Sequence, residues 1–246
     1  MKADPTDQQR LLELAAEDVA LTQLAHRRHT LPEVAAVEAA EEAERQLSAD
    51  LVRADTEVRD LDREQKRLEA DVDTVRQRAA RDQKHLDSGA VAPKEMTNLQ
   101  HELQSLARRQ GDLEDQVLEL MERREVADAT LADARTSLES AAADRERAVQ
   151  QRDDALADVA DQTSRHEAAR AALAGQVPAP LLALYDRIRV QTGTTGAALL
   201  KARQCQGCRI ELNGRELAAV RGTAPDEVVR CENCARILVR TAESGL

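Results

Sequence analysis

The chain has 246 residues, a formal net charge of -11 and 42% hydrophobic residues, yet it contains no Trp, no Phe and a single Tyr, Tyr185. Ordinary globular cores take much of their buried area from aromatic rings, so this composition argues against one compact sphere and for an elongated set of long helices sharing a thin seam. The acidic balance disfavours broad phosphate-backbone binding, whose affinity rises with the number of phosphates neutralised.

The first ten residues, MKADPTDQQR, hold no apolar stretch of the signal-peptide kind, and no later segment approaches the roughly 18 uninterrupted apolar residues of a membrane span. A cytoplasmic protein with no membrane partner is the expectation. Leu11, Leu14, Val19, Leu21 and Leu24 mark an amphipathic helix that Leu31-Pro32 breaks from the next.

From residue 51 a heptad pattern sets in at Leu51, Ala54, Val58, Leu61, Leu68, Val72, Val75, Ala79 and Leu86, with Gln65 and Asp82 as polar seam positions. A second in-phase run extends from Met96 through Leu106, Leu113, Leu120, Ala127, Leu131 and Ala141 to Leu173, its polar positions including Gln110, Arg124, Arg145, Gln162 and His166. Between them Gly89 suits a helix end and Pro93 a helix start.

So short a connection makes the two helices antiparallel, an intramolecular hairpin with its tip near 87–95 and residue i facing roughly 182 minus i. On that count the last stretch of the second helix outruns the first, and the N-terminal helix is its expected partner. A monomer is expected. A parallel homodimeric coiled coil is the rival, in which the Gly89 to Pro93 break would serve no purpose.

After Gly175 the character changes. Pro178 and Pro180 end the long helix, Leu181, Leu184, Tyr185 and Ile188 make a short amphipathic one, and Gly193 to Gly196 form a turn. From about 197 the chain reads as short strands and turns, at Ile210 and Leu212, Val228 and Val229, then Ile237 and Val239. The expected organisation is a hairpin over 1–176, a linker with a short helix over 177–196, and a small β module over 197–246. The fold class is mainly α, with that module at its C-terminal end.

All four cysteines fall in the last module as C-x2-C, 22 residues, C-x2-C. That spacing predicts one structural Zn2+ per chain held by Cys205, Cys208, Cys231 and Cys234, each pair supplying two sulfurs from one tight turn. Gly207 and Asn233, each before the second Cys of its pair, are residues that tolerate left-handed backbone. A thioredoxin-like redox motif opens a helix in an α/β domain, which does not fit here. A catalytic zinc keeps a position for water, whereas the five histidines all lie in the helical part. The zinc then stands in for the core that some 50 residues without aromatics cannot build.

The stretches SGAVAPKEMTNLQHELQSL, LEDQVLELMERRE, PLLALYDRIR, CQGC and CENCARIL resemble a family of bacterial proteins that join an N-terminal coiled-coil hairpin to a C-terminal four-cysteine zinc ribbon. The resemblance runs from about residue 30 to 240. It departs at Ala235, where many such ribbons carry Gly, which bears on the second turn and not on the metal. Members of the family look like adaptors, some tied to an alternative sigma factor, to flagellar or secretion components, or to messenger RNA. The resemblance implies the architecture and a non-enzymatic binding role, and no particular partner.

Two functions follow as expectations. The first is a protein-binding adaptor, with contacts at the tip (Val91, Met96) or on the ribbon (Leu217, Val220, Ile237, Val239), of which Ile237 and Val239 read better as packing. The second is RNA or DNA binding through Arg209, Arg215, Arg221, Arg230, Arg236 and Arg240. Residues 177–246 carry 10 basic against 7 acidic residues, while 1–176 carry 25 against 39. No nucleophile and base stand together and no Gly-rich phosphate loop is present, so an enzyme is not expected.

Overall fold

The computed structural model describes residues 1–89 and 91–246; Ala90, in the expected tip, lies outside the described residues. Four helices come first: α1 (Pro5–His29), α2 (Pro32–Asp87), α3 (Pro93–Ala174) and α4 (Ala179–Thr192). They are followed by β1 (Ala197–Lys201), β2 (Gln204–Cys205), α5 (Gly214–Gly222), β3 (Val229–Arg230), β4 (Ile237–Val239) and a 3-10 turn at Ala242–Ser244. The fold is the expected one, long helices forming a hairpin with a small C-terminal strand region.

Local chemistry sets the helix limits. Asp4 accepts the Thr6 N–H at 2.8 Å, with Pro5 at the first helical position. Gly89 takes φ 70 just past the end of α2, a left-handed conformation that costs glycine little.

The chain divides into two compact units, Ala35–Val149 and Met1–Val34 with Gln150–Leu246. In the second of these, α1, the end of α3 and α4 bury their apolar sides on the strand region and are continuous with it.

In the unit of residues 35–149, α2 and α3 run antiparallel. Leu61, Leu68 and Val72 interlock with Leu113, Leu120 and Ala127, all buried, and Val58, Val75 and Val117 pack beside them. The seam opens towards the tip, where Met96 is exposed. The register departs from the expected count. Position 65 was expected opposite about 117, but Gln65 accepts a hydrogen bond from Arg124 at 3.3 Å, two turns further along. Arg76–Glu114 at 2.7 Å and Arg145–Glu44 at 2.8 Å index the same register. Nearer the tip the expected count holds, with Arg78 paired to Glu102 at 2.7 Å, and the pairing drifts from it further along the seam, where interlocking side chains set it.

In the other unit α1 lies against the last part of α3, as expected, tied by His166 to Glu17 at 2.6 Å, Arg170 to Asp18 at 2.7 Å and Arg27 to Asp158 at 3.3 Å. The four-stranded sheet has the order β2-β1-β4-β3, with β1 and β4 parallel and the other pairs antiparallel. Its side chains alternate between two cores, as strand geometry requires. Ala197, Ile237 and Val239 face Leu11, Leu14, Leu181, Tyr185 and Ile188. Ala198, Leu200 and Leu238 face Cys205, Leu212, Val220 and Cys231.

Beneath the helical side sits Asp18, fully buried. It accepts from the Tyr185 hydroxyl at 2.6 Å and from Arg170 Nε at 2.7 Å, and pairs with Arg189 Nε at 2.9 Å. A buried carboxylate needs such partners to offset its desolvation. Burial, then the bond to Asp18, raises the Tyr185 pKa. Gly196 lies so close that a Cβ there would stand 2.2 Å from the Tyr185 carbonyl oxygen.

Candidate metal centre

The two cysteine pairs sit in turns of one design. In the first, Arg209 N–H donates to Cys205 O at 2.7 Å and Cys205 N–H to Ile210 O at 3.1 Å; in the second, Ala235 N–H donates to Cys231 O at 2.9 Å and Cys231 N–H to Arg236 O at 2.9 Å. The chain reverses after the second Cys of each pair, where Arg209 has φ 59 and Ala235 φ 64. The left-handed positions are therefore not Gly207 and Asn233 but the residues two further on. Gly207 is needed for a different reason: a Cβ there would come within 2.7 Å of Arg236 Cδ and 3.0 Å of Ala198 Cβ.

These turns bring Cys205, Cys208, Cys231 and Cys234 together with all four Sγ atoms within 4.8 Å of one another. Cys205 and Cys234 sulfurs are 3.8 Å apart and those of Cys208 and Cys231 3.9 Å. A tetrahedron with Zn–S near 2.3 Å requires about 3.8 Å between sulfurs, so the donor set fits one structural Zn2+ with four thiolates and no position left for water. Backbone amides aim at the sulfurs, from Cys208 and Gly207 to Cys205 and from Cys234 and Asn233 to Cys231.

The electrostatics divide the four. Burial pushes the Cys205 thiol up to about 12, against the amides that stabilise its thiolate, and burial raises Cys231 as well. Cys234 goes the other way: burial opposes ionisation, but the backbone and side-chain N–H groups of Arg236 donate to its sulfur and hold the thiol below its ordinary value. Zinc must displace these protons, so loading is coupled to pH.

The segment joining the turns is helical, where short strands and turns were expected. Residues Gly214–Gly222 form α5, closed at its start by a reciprocal cap in which Asn213 accepts from Glu216 N–H at 3.0 Å and Glu216 accepts from Asn213 N–H at 2.7 Å. Asn-x-x-Glu is a sequence signal for that cap. Ile210 and Leu212 do not form a strand; an isolated bridge joins Gln204 and Glu211.

The six arginines proposed for contact separate into two groups. Arg240 is turned inward and donates to the carbonyls of Val220, Thr223, Ala224, Pro225 and Glu227, holding the segment after α5. Arg236 donates to Thr194 Oγ1 at 2.6 Å and to Thr195 O and Oγ1 at 3.1 and 3.2 Å, and Arg230 Nε to Ala235 O at 2.9 Å. These bonds occupy Arg236 and Arg240 structurally. Arg209, Arg215, Arg221 and Arg230 are exposed, Arg230 with its one bond inside the second turn. Of the apolar contact candidates, Val220, Ile237 and Val239 are buried and Leu217 packs beneath the sheet.

Comparison with known proteins agrees with this architecture. A family model described as a CT398-like coiled coil hairpin domain matches residues 14–193, and one described as a C4-type zinc ribbon domain matches 204–238. An uncharacterized protein of Mycobacterium tuberculosis is 40% identical over 240 residues, 98% of each chain. One from Mycobacterium leprae is 30% identical over 213 residues, covering 87% of this chain and 91% of the other. A solved structure from Mycobacterium smegmatis superposes with a TM-score of 0.82 at 34% identity, covering 98% of this chain and all of that one. CT398 from Chlamydia trachomatis shares the fold, with a TM-score of 0.64 at 18% identity over 95% of this chain and 97% of that one. With the hairpin matched over most of its length and the four sulfurs gathered at one point, the chain belongs to the CT398-like coiled-coil hairpin family and ends in a C4-type zinc ribbon.

Proposed function

We propose that the protein is a non-enzymatic zinc-binding adaptor whose hairpin docks a protein partner. The observation that carries this reading is exposed apolar surface on α3, at the edge of the seam and outside it. Leu118, Met121 and Val126 are 58%, 47% and 69% exposed, although the helix has a complete buried seam without them. Leu118 and Met121, three apart, are neighbours on a helix surface.

Asp115, Glu119, Glu122 and Glu125 are exposed among these side chains, with Arg123 as the one exposed cation in that stretch. Leu118 also borders a groove of ≈ 340 Å³ lined by Val72 and Val117 and by Glu69, Asp73, Arg76 and Glu114, with Arg76 already paired to Glu114. An acidic rim around apolar anchors suits a basic segment with an apolar face, such as an amphipathic helix rich in Lys or Arg. The ribbon is the rigid end in this reading, closed around its metal, and the inward bonds of Arg236 and Arg240 reduce the cation set a nucleic acid would meet.

The test is capture of partners with full-length protein carrying Leu118→Ser and Met121→Ser, with and without nuclease. These exposed changes leave zinc content and helical circular dichroism unaltered, and the captured partner is lost. Retention of the partner by this variant, with loss on nuclease treatment or in an Arg215→Ala, Arg221→Ala variant, would overturn the protein-docking reading in favour of nucleic acid on the ribbon.

A further inference from the structure

We propose that Arg236 is the positioning residue of the zinc site, a single guanidinium that braces both cysteine turns against the α4–β1 connection. Its place in the fold makes it unusual among the surface arginines. It belongs to the second turn, where its carbonyl accepts the Cys231 N–H at 2.9 Å. Its side chain crosses to the first turn, lying where a Cβ on Gly207 would meet Cδ at 2.7 Å and Nε at 3.3 Å. Beyond the turns it reaches the α4–β1 connection, donating from Nη2 to Thr194 Oγ1 at 2.6 Å and from Nε to Thr195 O at 3.1 Å. Its N–H groups also donate to the Cys234 sulfur.

A four-thiolate zinc site carries a net charge of minus two, and in a half-buried setting that charge needs hydrogen-bond donors around the sulfurs. Backbone amides supply some. The fixed cation comes from Arg236, and its orientation is set by the Thr194 and Thr195 oxygens on the far side. The bare Gly207 is what leaves room for the stem. Outer-shell partners of this kind fix ligand orientation and tune the metal without touching it.

Full-length protein with Arg236→Met keeps a stem over Gly207 and loses the donors; Arg236→Lys keeps the charge; Thr194→Val removes the distant acceptor and touches neither turn. Zinc affinity is measured by chelator competition, and the sulfur-to-metal charge-transfer band is recorded after Co2+ replacement. The expected result is a loss of about 10–100-fold in zinc affinity for Arg236→Met, with a charge-transfer band shifted to lower energy because a thiolate stripped of its donor is easier to oxidise. Arg236→Lys recovers part of both, and Thr194→Val gives a smaller change in the same direction. Affinity within twofold of the parent and an unmoved band in Arg236→Met would overturn the proposal, leaving Arg236 as packing alone. Should that variant fail to fold, an unchanged affinity and band in Thr194→Val would overturn it equally.

Discussion

Arg209 and Ala235 hold left-handed backbone with φ of 59 and 64, a conformation that costs an L-residue about 1–2 kcal/mol and glycine little. Ala235→Gly is therefore expected to stabilise the zinc-loaded ribbon by up to about 1 kcal/mol after the entropy gained by the unfolded chain is subtracted, read as a higher melting midpoint. Gly207→Ala moves the other way, because its methyl collides with Arg236 and Ala198. Gly196→Ala is the more damaging change, since the nearest atom is the Tyr185 carbonyl oxygen at 2.2 Å and backbone must shift. Overpacking of this kind costs about 1–3 kcal/mol or more. Thiol titration belongs to this scale too. Burial lifts Cys205 from 9.0 to about 12, so in zinc-stripped protein its burial contributes stability below about 9 that is lost as pH rises towards 12. Zinc binding has the opposite dependence, since the thiol must lose its proton. Apparent affinity should fall as pH drops, by up to about one decade per pH unit for each proton displaced. A chelator-competition series from pH 6 to 8 with a flat profile would contradict this.

Along the hairpin, the seam and the ion pairs contribute very differently. Leu113 and Leu120 are buried among Leu61, Leu68 and Val72, and replacing either by Ala removes transfer energy and leaves a cavity, about 2–5 kcal/mol. The Arg145–Glu44 pair, at 43% and 30% side-chain exposure, is worth at most about 1 kcal/mol. Denaturant melts followed by helical circular dichroism should separate the two cleanly; an Arg145→Ala effect as large as Leu113→Ala would mean the cross-helix ion pair, and not the apolar seam, holds the register. At the far end of α3, α1 adds charged partners, Glu17 and Asp18 meeting His166 and Arg170.

At the scale of the whole chain, zinc supports more than the cysteine turns. The sheet is covered on its other side by Leu11, Leu14, Tyr185 and Ile188, and the N-terminal residues pair with the segment before β3, Ala3 N–H to Asp226 O at 2.7 Å and Val228 N–H to Met1 O at 2.9 Å. Removing zinc, or Cys208→Ala, is therefore expected to loosen α1 and α4 together with the ribbon, while residues 35–149 keep their own core. Hydrogen exchange gives the check: protection should fall across 5–29, 179–192 and 197–239 and persist at 61–72 and 113–127. Loss confined to 197–246 would show that the helices hold without the metal.

Local chemistry alone fixed much of this molecule. Heptad spacing marks the seam because a two-helix interface reads only every third or fourth residue, and paired C-x2-C marks the metal because four sulfurs on two tight turns have few other uses. The cap at Asn213 and Glu216 was also written in the sequence, as the Asn-x-x-Glu signal of α5. What tertiary structure decided is different in kind. No local pattern shows that Arg236 and Arg240 point inward, since their partners are carbonyls and hydroxyls supplied by distant segments. Nor does one reveal the Ala202-Arg203 turn with φ of 44 and 65, held by Glu243 and Ser244 carbonyls. The hairpin register, the burial of Asp18 under α4 and the joining of α1 to the ribbon depend on which surfaces meet, and those meetings are fixed by packing between segments up to the full length of the chain apart.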